Sequence, residues 1–381
     1  MRGESLKVLF VTRKFLPDVG GMEIAATHLY RELAKRCHVR LINCRPKSPL
    51  QLPLVPLKAL LGTAWFTWKW KPDVILFQDV VTALSAPLVA PLHRRKAVIA
   101  HGLDITYGRK AYRALAGLAL RRCEAVVCIS NATREACLRE GLARREKLKV
   151  IHYAVNDDLY MDGQARRARE LLAGWIGVDL SERFVILTTG RLVRRKGISW
   201  FVRNCLEHIT TRHPRAIYVV VGEGEMKGEI RRAANEKGLS KHVVLTGRAT
   251  KEQLRWAYNG ADLFVMPNIP LPNNMEGFGL VALEACSCGL PVVASDLEGI
   301  KDALRNGEGG LLVESENAEA FISAVTRFIE NEDLRKLWSQ RARKFFLEKY
   351  GWEKTVSEYL ELFRELAENG GAATSPGSPP G

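Results

Sequence analysis

Short, mainly apolar runs recur along the chain, separated by longer segments in which apolar residues return every three or four positions. Leu6–Val11, Val39–Cys44, Val74–Phe77, Ala97–Ala100 and Ala125–Ile129 have the length and Val/Ile/Leu content of strands buried on both faces. Met22–Arg36 and Tyr112–Arg122 carry helical spacing between them. A polar stretch, 157–182, interrupts the rhythm, which then restarts. Phe184–Thr189, Ala216–Val221, Val243–Thr246, Leu263–Pro267 and Pro291–Ser295 are predicted strands. Ser199–His208, Lys227–Lys237, Lys251–Asn259, Leu280–Cys288 and Ala318–Asn331 are predicted helices. Two successive alternations of this kind imply two parallel sheets covered by helices, hence two Rossmann-like domains in an α/β protein. Leu334–Glu368 reads as charged helix broken near Tyr350–Trp352. The expected organisation is a domain over 1–157, a second over 183–348, a helix over 349–369 packing back on the first domain, and a disordered tail over 370–381.

The 381-residue length agrees with two domains, and 47% hydrophobic with 26% charged residues is the balance of a soluble globular chain. No apolar run is long enough for a transmembrane helix, and the short first run, followed by Arg13 and Lys14, reads as a strand rather than a leader. A cytoplasmic location is expected. The eight cysteines show no metal spacing and are read as buried reduced thiols.

Charge changes the picture because it is uneven. Residues 1–160 hold 27 Lys/Arg against 13 Asp/Glu, whereas 161–381 hold 30 against 29. Nearly the whole net charge of +15 therefore sits in the first part, which points to an acidic partner. Leu54–Lys71 mixes aliphatics with Trp65, Phe66, Trp68, Trp70 and three lysines, a composition suited to lipid headgroups, although a core helix would also account for its apolar residues. Arg94–Lys96 and Arg109–Arg122 add charge. An anionic membrane surface is the expected partner, and no RNP, helix-turn-helix or zinc pattern supports a nucleic acid.

Three segments carry candidate chemistry. Gly20–Gly21 opens a helix after the first strand, where backbone and ligand can approach, though Gly-Gly alone is more often only a turn. After the strand 184–189 comes Gly190-Arg-Leu-Val-Arg-Arg-Lys-Gly197, in which Arg191 and Lys196 are placed to clamp an anion, while Arg194 and Arg195 read as solvated loop residues. Met275–Ala285 sets Glu276 in a glycine-rich turn and Glu284 eight residues later on an apolar helix, where a carboxylate needs a polar partner. Either a ribose or a structural cation would satisfy Glu284.

In this order, with Val221-Gly-Glu-Gly224, Leu245-Thr-Gly247 and Gly289-Leu-Pro-Val-Val-Ala-Ser295, the chain resembles glycosyltransferase family 4 from residue 6 to about 350. The resemblance implies the GT-B fold, two Rossmann-like domains facing each other across a cleft, and transfer of a sugar from a nucleoside-diphosphate donor with retention of configuration. It implies that Gly20 and Gly21 approach the donor phosphate, that Arg191 and Lys196 neutralise the diphosphate leaving group, and that Glu223 and Gly224 lie near the nucleoside. Glu276 would hold sugar hydroxyls, Gly277, Phe278, Gly279, Leu280 and Val281 would supply backbone donors, and Glu284 would bind the ribose. His101, in His-Gly-Leu-Asp104, would stand beside the transferred sugar. The acceptor implied is a lipid, a lipid-linked saccharide or a glycan, at the inner face of a cell membrane. No cofactor and no metal is expected, since no Asp-x-Asp motif is present; the leaving phosphate would help deprotonate the acceptor, with no protein nucleophile. Departures occur at Ala154-Val-Asn156, at Glu298–Asp302 and in the long loop Asn268–Asn274, which bear on sugar and base preference. An epimerase acting on the nucleotide sugar and a non-catalytic nucleotide-binding protein are the rival readings.

Overall fold

The computed structural model describes residues 6–16, 20–93 and 95–369. The expectations for the tail over 370–381 and for Arg94 lie outside the described residues. The chain forms two units, one taking in Met1–Ala154 with the segment from Trp352, the other Val155–Gly351.

In the first unit β1 (Lys7–Thr12) leads to α1 (Gly21–Ala34), β2 (His38–Asn43), a 3₁₀ turn (Pro49–Leu54) and α2 (Val55–Trp70). There follow β3 (Val74–Phe77), the short α3 (Val80–Ala83) and α4 (Ala86–Val89), and β4 (Lys96–Ala100). Then come α5 (Leu103–Thr106), α6 (Lys110–Arg121), β5 (Ala125–Cys128), α7 (Asn131–Arg139) and β6 (Leu148–Val150). The sheet is parallel, in the order β2-β1-β3-β4-β5-β6. Its central strands are fully buried and, apart from Lys96 at the start of β4, apolar, as in a sheet covered on both faces.

The second unit opens with α8 (Ala165–Ile176), inside the stretch that reads as a polar linker. Charged residues crowd its first half, but Ala168 and Leu172 are buried on one side, and Arg169 donates to the carbonyl of Gly260 and pairs with Asp262 at 2.9 Å. The units divide after Ala154 and again after Gly351, so the chain passes between them twice. The unit continues through β7 (Phe184–Thr189), α9 (Ile198–Phe201), a π turn (Val202–Leu206), α10 (Glu207–Arg212), β8 (Ala216–Val221) and α11 (Lys227–Glu236). Next are β9 (Val243–Gly247), α12 (Lys251–Gly260), β10 (Leu263–Met266), α13 (Leu280–Ser287) and β11 (Val292–Ser295). The unit ends with α14 (Glu298–Ala303), β12 (Leu311–Val313), α15 (Ala318–Glu330) and α16 (Glu332–Lys349). α17 (Trp352–Asn369) belongs to the first unit, where it packs on α1 and β3.

The second sheet is also parallel and six-stranded, in the order β12-β11-β10-β7-β8-β9. Its core joins Ile186, Tyr218, Val220 and Val265 to Phe201, Phe321 and Phe328 of the covering helices. The direction of strand addition reverses between β7 and β10, as it does between β1 and β3 in the first sheet. Ligands of open parallel sheets settle beyond the carboxyl ends of the strands at such a reversal. All eight cysteines are buried and free.

Candidate functional site

At the reversal of the second sheet, β7 ends in Thr189 and β10 in Met266, and the loops that leave them converge on one carboxylate. The loop after β7 closes in a tight 3₁₀ turn, Arg194–Lys196, followed by Gly197 with φ 64°. A Cβ at Gly197 would lie 1.8 Å from the Pro267 carbonyl oxygen, so only glycine lets the two loops touch. A Cβ at Gly224 would likewise meet the Leu192 carbonyl at 2.3 Å, which presses the β8 loop onto the β7 loop.

This closeness brings Lys196 Nζ to 2.6 Å from Glu276 Oε2. Arg195 Nε stands 3.4 Å from the same oxygen, and Asn268 Nδ2 donates to it at 2.9 Å. Lys196 and Glu276 are each 8% exposed. Burial alone would push the Glu276 carboxyl up, but the Lys196 and Arg195 charges and the bonds from Lys196 and Asn268 outweigh it and hold the group at about 2. The same burial lowers Lys196, against the pull of Glu276. Lys196 and Arg195 offset the carboxylates of Glu276 and Glu298, and Arg191, exposed on the same loop, tips the balance to positive charge. Such a site suits an anion. Glu276 Oε1 has no partner among the described residues, and Asn268 Oδ1 is buried without one.

Three neighbours complete the site beyond the residues the sequence points to. Arg195, expected in solvent, is mostly buried against Glu276 because the 3₁₀ turn swings it inward. Asn268 sits in the loop expected only to vary specificity, with its carbonyl accepting from the Ser295 and Ser315 hydroxyls. Glu298 accepts from the Glu276 backbone N–H at 2.5 Å. A polar residue directly after an apolar strand at a sheet reversal was the available signal for Asn268; the other two depend on loop geometry.

Glu284 lies just over one turn into α13, and Tyr258 Oη donates to its Oε2 at 2.6 Å while bonding Thr189 Oγ1, also at 2.6 Å. Burial raises the Glu284 carboxyl, and the Tyr258 bond pulls the other way. α13 begins after Gly279, so the amides of Leu280 and Val281 form its open N-terminal turn, with Gly277 and Phe278 just before it. Phe278 is buried against Tyr350. Glu223 is half-buried and paired with Lys227 at 2.6 Å, next to Gly224.

The remaining expected residues belong to the first unit. Gly20 caps α1 and Gly21 is its first residue; Glu23, behind them, pairs with Lys14 at 2.6 Å. His101 follows β4 and is buried. Its Nε2 donates to the Gln78 carbonyl at 2.6 Å, which leaves Nδ1 to accept from Tyr153 Oη at 2.7 Å. Asp104 accepts from the His101 backbone N–H at 2.8 Å, and its carboxyl is raised by burial despite the His101 ring. The imidazole is thereby fixed in one tautomer. Among the described residues no three His, Cys, Asp or Glu side chains gather as a metal site.

Two family models match the chain, Glycosyltransferase Family 4 over residues 19–159 and Glycosyl transferases group 1 over 178–345. An uncharacterized glycosyltransferase of Methanocaldococcus jannaschii is 27% identical over 68% of this chain and 64% of its own length, so the match spans less than two thirds of that relative. The GDP-mannose-dependent alpha-(1-6)-phosphatidylinositol monomannoside mannosyltransferase of Mycolicibacterium smegmatis is 26% identical over 93% of this chain and 97% of its own length. Among solved structures, Anabaena HepE in complex with UDP and glucose aligns with a TM-score of 0.73 at 20% identity, covering 93% of this chain and 98% of that one.

Proposed function

The chain belongs to glycosyltransferase family 4 and has the GT-B fold, and on that footing we propose that it moves a sugar from a nucleoside-diphosphate sugar to a lipid, lipid-linked or saccharide acceptor with retention of configuration. The observation that carries this reading is the meeting of Lys196, Arg195 and Asn268 on one oxygen of Glu276, with the other oxygen open beside them. A diphosphate leaving group gains negative charge as the glycosidic bond breaks, and preorganised cations at that point lower the barrier. Lys196 and Arg191 take this role. Glu276, held ionised far below neutral pH, cannot donate a proton; its open oxygen and Asn268 Oδ1 accept from sugar hydroxyls instead. Glu284 accepts from the ribose while Tyr258 fixes its rotamer. The first turn of α13 receives phosphate or sugar oxygens through its amides. His101, with its tautomer fixed, contacts the transferred sugar, and Gly20–Gly21 lets the backbone approach the donor phosphate. The departing phosphate accepts the acceptor's proton, and no metal or cofactor is used.

The relatives support a glycan or glycolipid acceptor in general terms. The basic first part of the chain favours the lipid form, with the enzyme peripheral on the inner face of a cell membrane. Incubation with UDP-, GDP- and ADP-sugars, with and without lipid and saccharide acceptors, tests the reading. Free nucleoside diphosphate should accumulate only when an acceptor is present. An altered sugar on intact donor without acceptor would make the protein an epimerase, and tight nucleotide binding with no release under any acceptor would make it a binding protein.

A further inference from the structure

α2 is apolar nearly all the way round: of its sixteen residues only Lys58 and Lys69 are charged. Such a helix ordinarily lies inside a protein. Here Val55, Ala59 and Thr63 are buried, and the opposite side faces outward. Leu57, Leu61, Trp65 and Trp68 follow one another at steps of four, four and three, a single stripe on the helix, and are 51%, 63%, 48% and 77% exposed. Leu50 and Leu54 of the preceding 3₁₀ turn are exposed as well. The other two aromatics are placed differently: Arg40 lies over the rings of Phe66 and Trp70, at 5.7 and 5.1 Å. The stripe is therefore what remains after the sheet has taken the residues it needs.

The fold extends this stripe into a face. β1 and β2 add in one direction and β3 to β6 in the other, so right-handed crossovers set α1 on one side of the sheet and α2, α4 and α6 on the other. α2 packs beside α4, and α4 beside α6. Exposed Leu88 and Leu92 come from α4 and the turn after it, and Leu115 and Leu118 from α6. Residues 49–72, 80–103 and 105–123, which span these helices, contain no Asp or Glu, and Glu140, from outside them, pairs with Arg113 of α6 at 2.7 Å. Lys58 and Lys69 flank the stripe on one side, exposed, with Lys69 over the Trp65 ring at 5.1 Å. Lys110, Arg121 and Arg122 are exposed on α6.

We propose that this α2–α4–α6 face is a membrane-docking surface, on which α2 lies in the plane of an anionic phospholipid bilayer with Leu57, Leu61, Trp65 and Trp68 among the acyl chains and the lysines at the phosphates. Trp and Lys side by side at the rim of a leucine row match the two layers of a bilayer interface. A second copy of this chain would bring two strongly basic faces together. A nucleic acid would leave the leucines without a partner. Among the described residues no helix is long and apolar enough to cross a membrane, so contact is lateral. The assignment deepens the lipid-acceptor reading and rests on it only for the choice of a bilayer; it is independent of the donor site.

The experiment is co-sedimentation of the full chain with phosphatidylcholine vesicles, with and without phosphatidylglycerol, at low and high salt. Anionic vesicles should be bound, and salt should weaken the binding without abolishing it, because the apolar part is not screened. Leu57→Glu with Leu61→Glu should reduce partitioning by at least about ten-fold, since charge is strongly disfavoured among acyl chains. Lys58→Glu with Lys69→Glu changes only exposed polar positions and should reduce binding at low salt. Lipids brominated on their acyl chains should quench tryptophan fluorescence, and Trp65→Phe with Trp68→Phe should remove most of that quenching. Anionic-vesicle binding that both Glu variants leave intact overturns this face while the membrane reading stands. No binding at low salt overturns both, and transfer to a soluble acceptor then remains open to measurement. A dimer in solution that Leu57→Glu with Leu61→Glu makes monomeric, without vesicle binding, assigns the face to a second copy instead.

Discussion

The two units share a parallel six-stranded sheet with one reversal of strand order, yet they differ in where they keep charge and where they keep apolar surface. In the second unit, charge is drawn inward: Lys196, Arg195 and Glu276 meet in a nearly closed loop cluster at the reversal. In the first, the reversal holds a buried pair, Arg13 with Asp79 at 3.1 Å, next to the network of His101, Tyr153 and Gln78, and the excess of positive charge lies on the surface. Of the large apolar side chains exposed among the described residues, all but Leu337 and Leu347 belong to the first unit. One architecture thus serves two tasks, because the sheet fixes only where a ligand can sit, while loop and surface residues decide what is recognised. On the function proposed above, the second unit takes a small polyanion and the first an extended apolar partner.

The sharpest way to break this contrast is to remove the inward charge. Glu276→Gln leaves two cations buried without their carboxylate, and stability at neutral pH should fall by about 3 kcal/mol, in the range for breaking a buried pair. The acid dependence follows from the held carboxyl. Because the folded value, about 2, lies below the ordinary 4.5, the stabilisation is present above 4.5 and is lost as pH falls through that interval toward 2. Urea titrations at neutral pH and across this acid range should show the gap between wild type and E276Q closing as the pH drops. A gap that is the same at every pH would mean that Glu276 is not the held group.

Lys196→Ala tests whether the cluster acts on the leaving group as well as on the fold. Transfer should fall by at least roughly 2 kcal/mol in barrier height, about thirty-fold, since one preorganised cation is lost. Steady-state kinetics on protein that melts cooperatively decides it. Near-normal turnover would confine Lys196 to a structural role and remove the functional half of the contrast.

How much of this contrast can be read from residues alone follows from which forces act locally. β3, β7 and β8 lie where uninterrupted apolar runs predict them, because a strand buried on both faces leaves no room for polar residues. β6 and β12 escape, being three residues long, with no burial across all positions. α8 escapes for another reason: three arginines hide an apolar side that becomes visible only once α12 packs against it. At the site, Lys196, Glu276 and Glu284 are legible because spacing after a strand and a charge within an apolar helix are sequence properties. Arg195 is not, since its inward turn depends on Gly197 meeting the Pro267 carbonyl. The apolar composition of α2 is plain in the sequence, but which of its two sides the sheet claims is decided only by packing.

Tyr153 and Tyr258 sharpen the comparison further, since each is a buried phenol that holds one expected site residue in its own unit. Each Tyr→Phe change should lower stability by about 1 kcal/mol, the net worth of a buried hydrogen bond. Their functional effects should separate. Tyr258→Phe frees the Glu284 rotamer and should weaken binding of the bare nucleoside diphosphate, read by calorimetry. Tyr153→Phe frees His101 Nδ1 and should slow transfer while leaving that binding unchanged. An equal loss of nucleotide affinity in both would erase the division between the units.

The smallest expected effect lies at Glu284, where stability and binding should move in opposite directions. Burial raises this carboxyl above its ordinary value, so in the empty protein the ionised form is held at a disadvantage that the Tyr258 bond only partly offsets. A group whose folded value is raised opposes folding at neutral pH and ceases to do so as the pH falls and it takes up a proton. Glu284→Gln keeps an acceptor for Tyr258 and removes the charge, so Tm at neutral pH should rise slightly and the difference from wild type should vanish in acid. The same change should weaken binding of a nucleoside diphosphate, because a ribose hydroxyl bonds more strongly to a carboxylate than to an amide. Thermal unfolding with and without the nucleotide measures both at once: the variant should melt above wild type when empty and gain less on adding ligand. If Glu284→Gln instead melts lower when empty and gains as much, the carboxylate is a structural partner of Tyr258, and the ribose must be held elsewhere in the second unit.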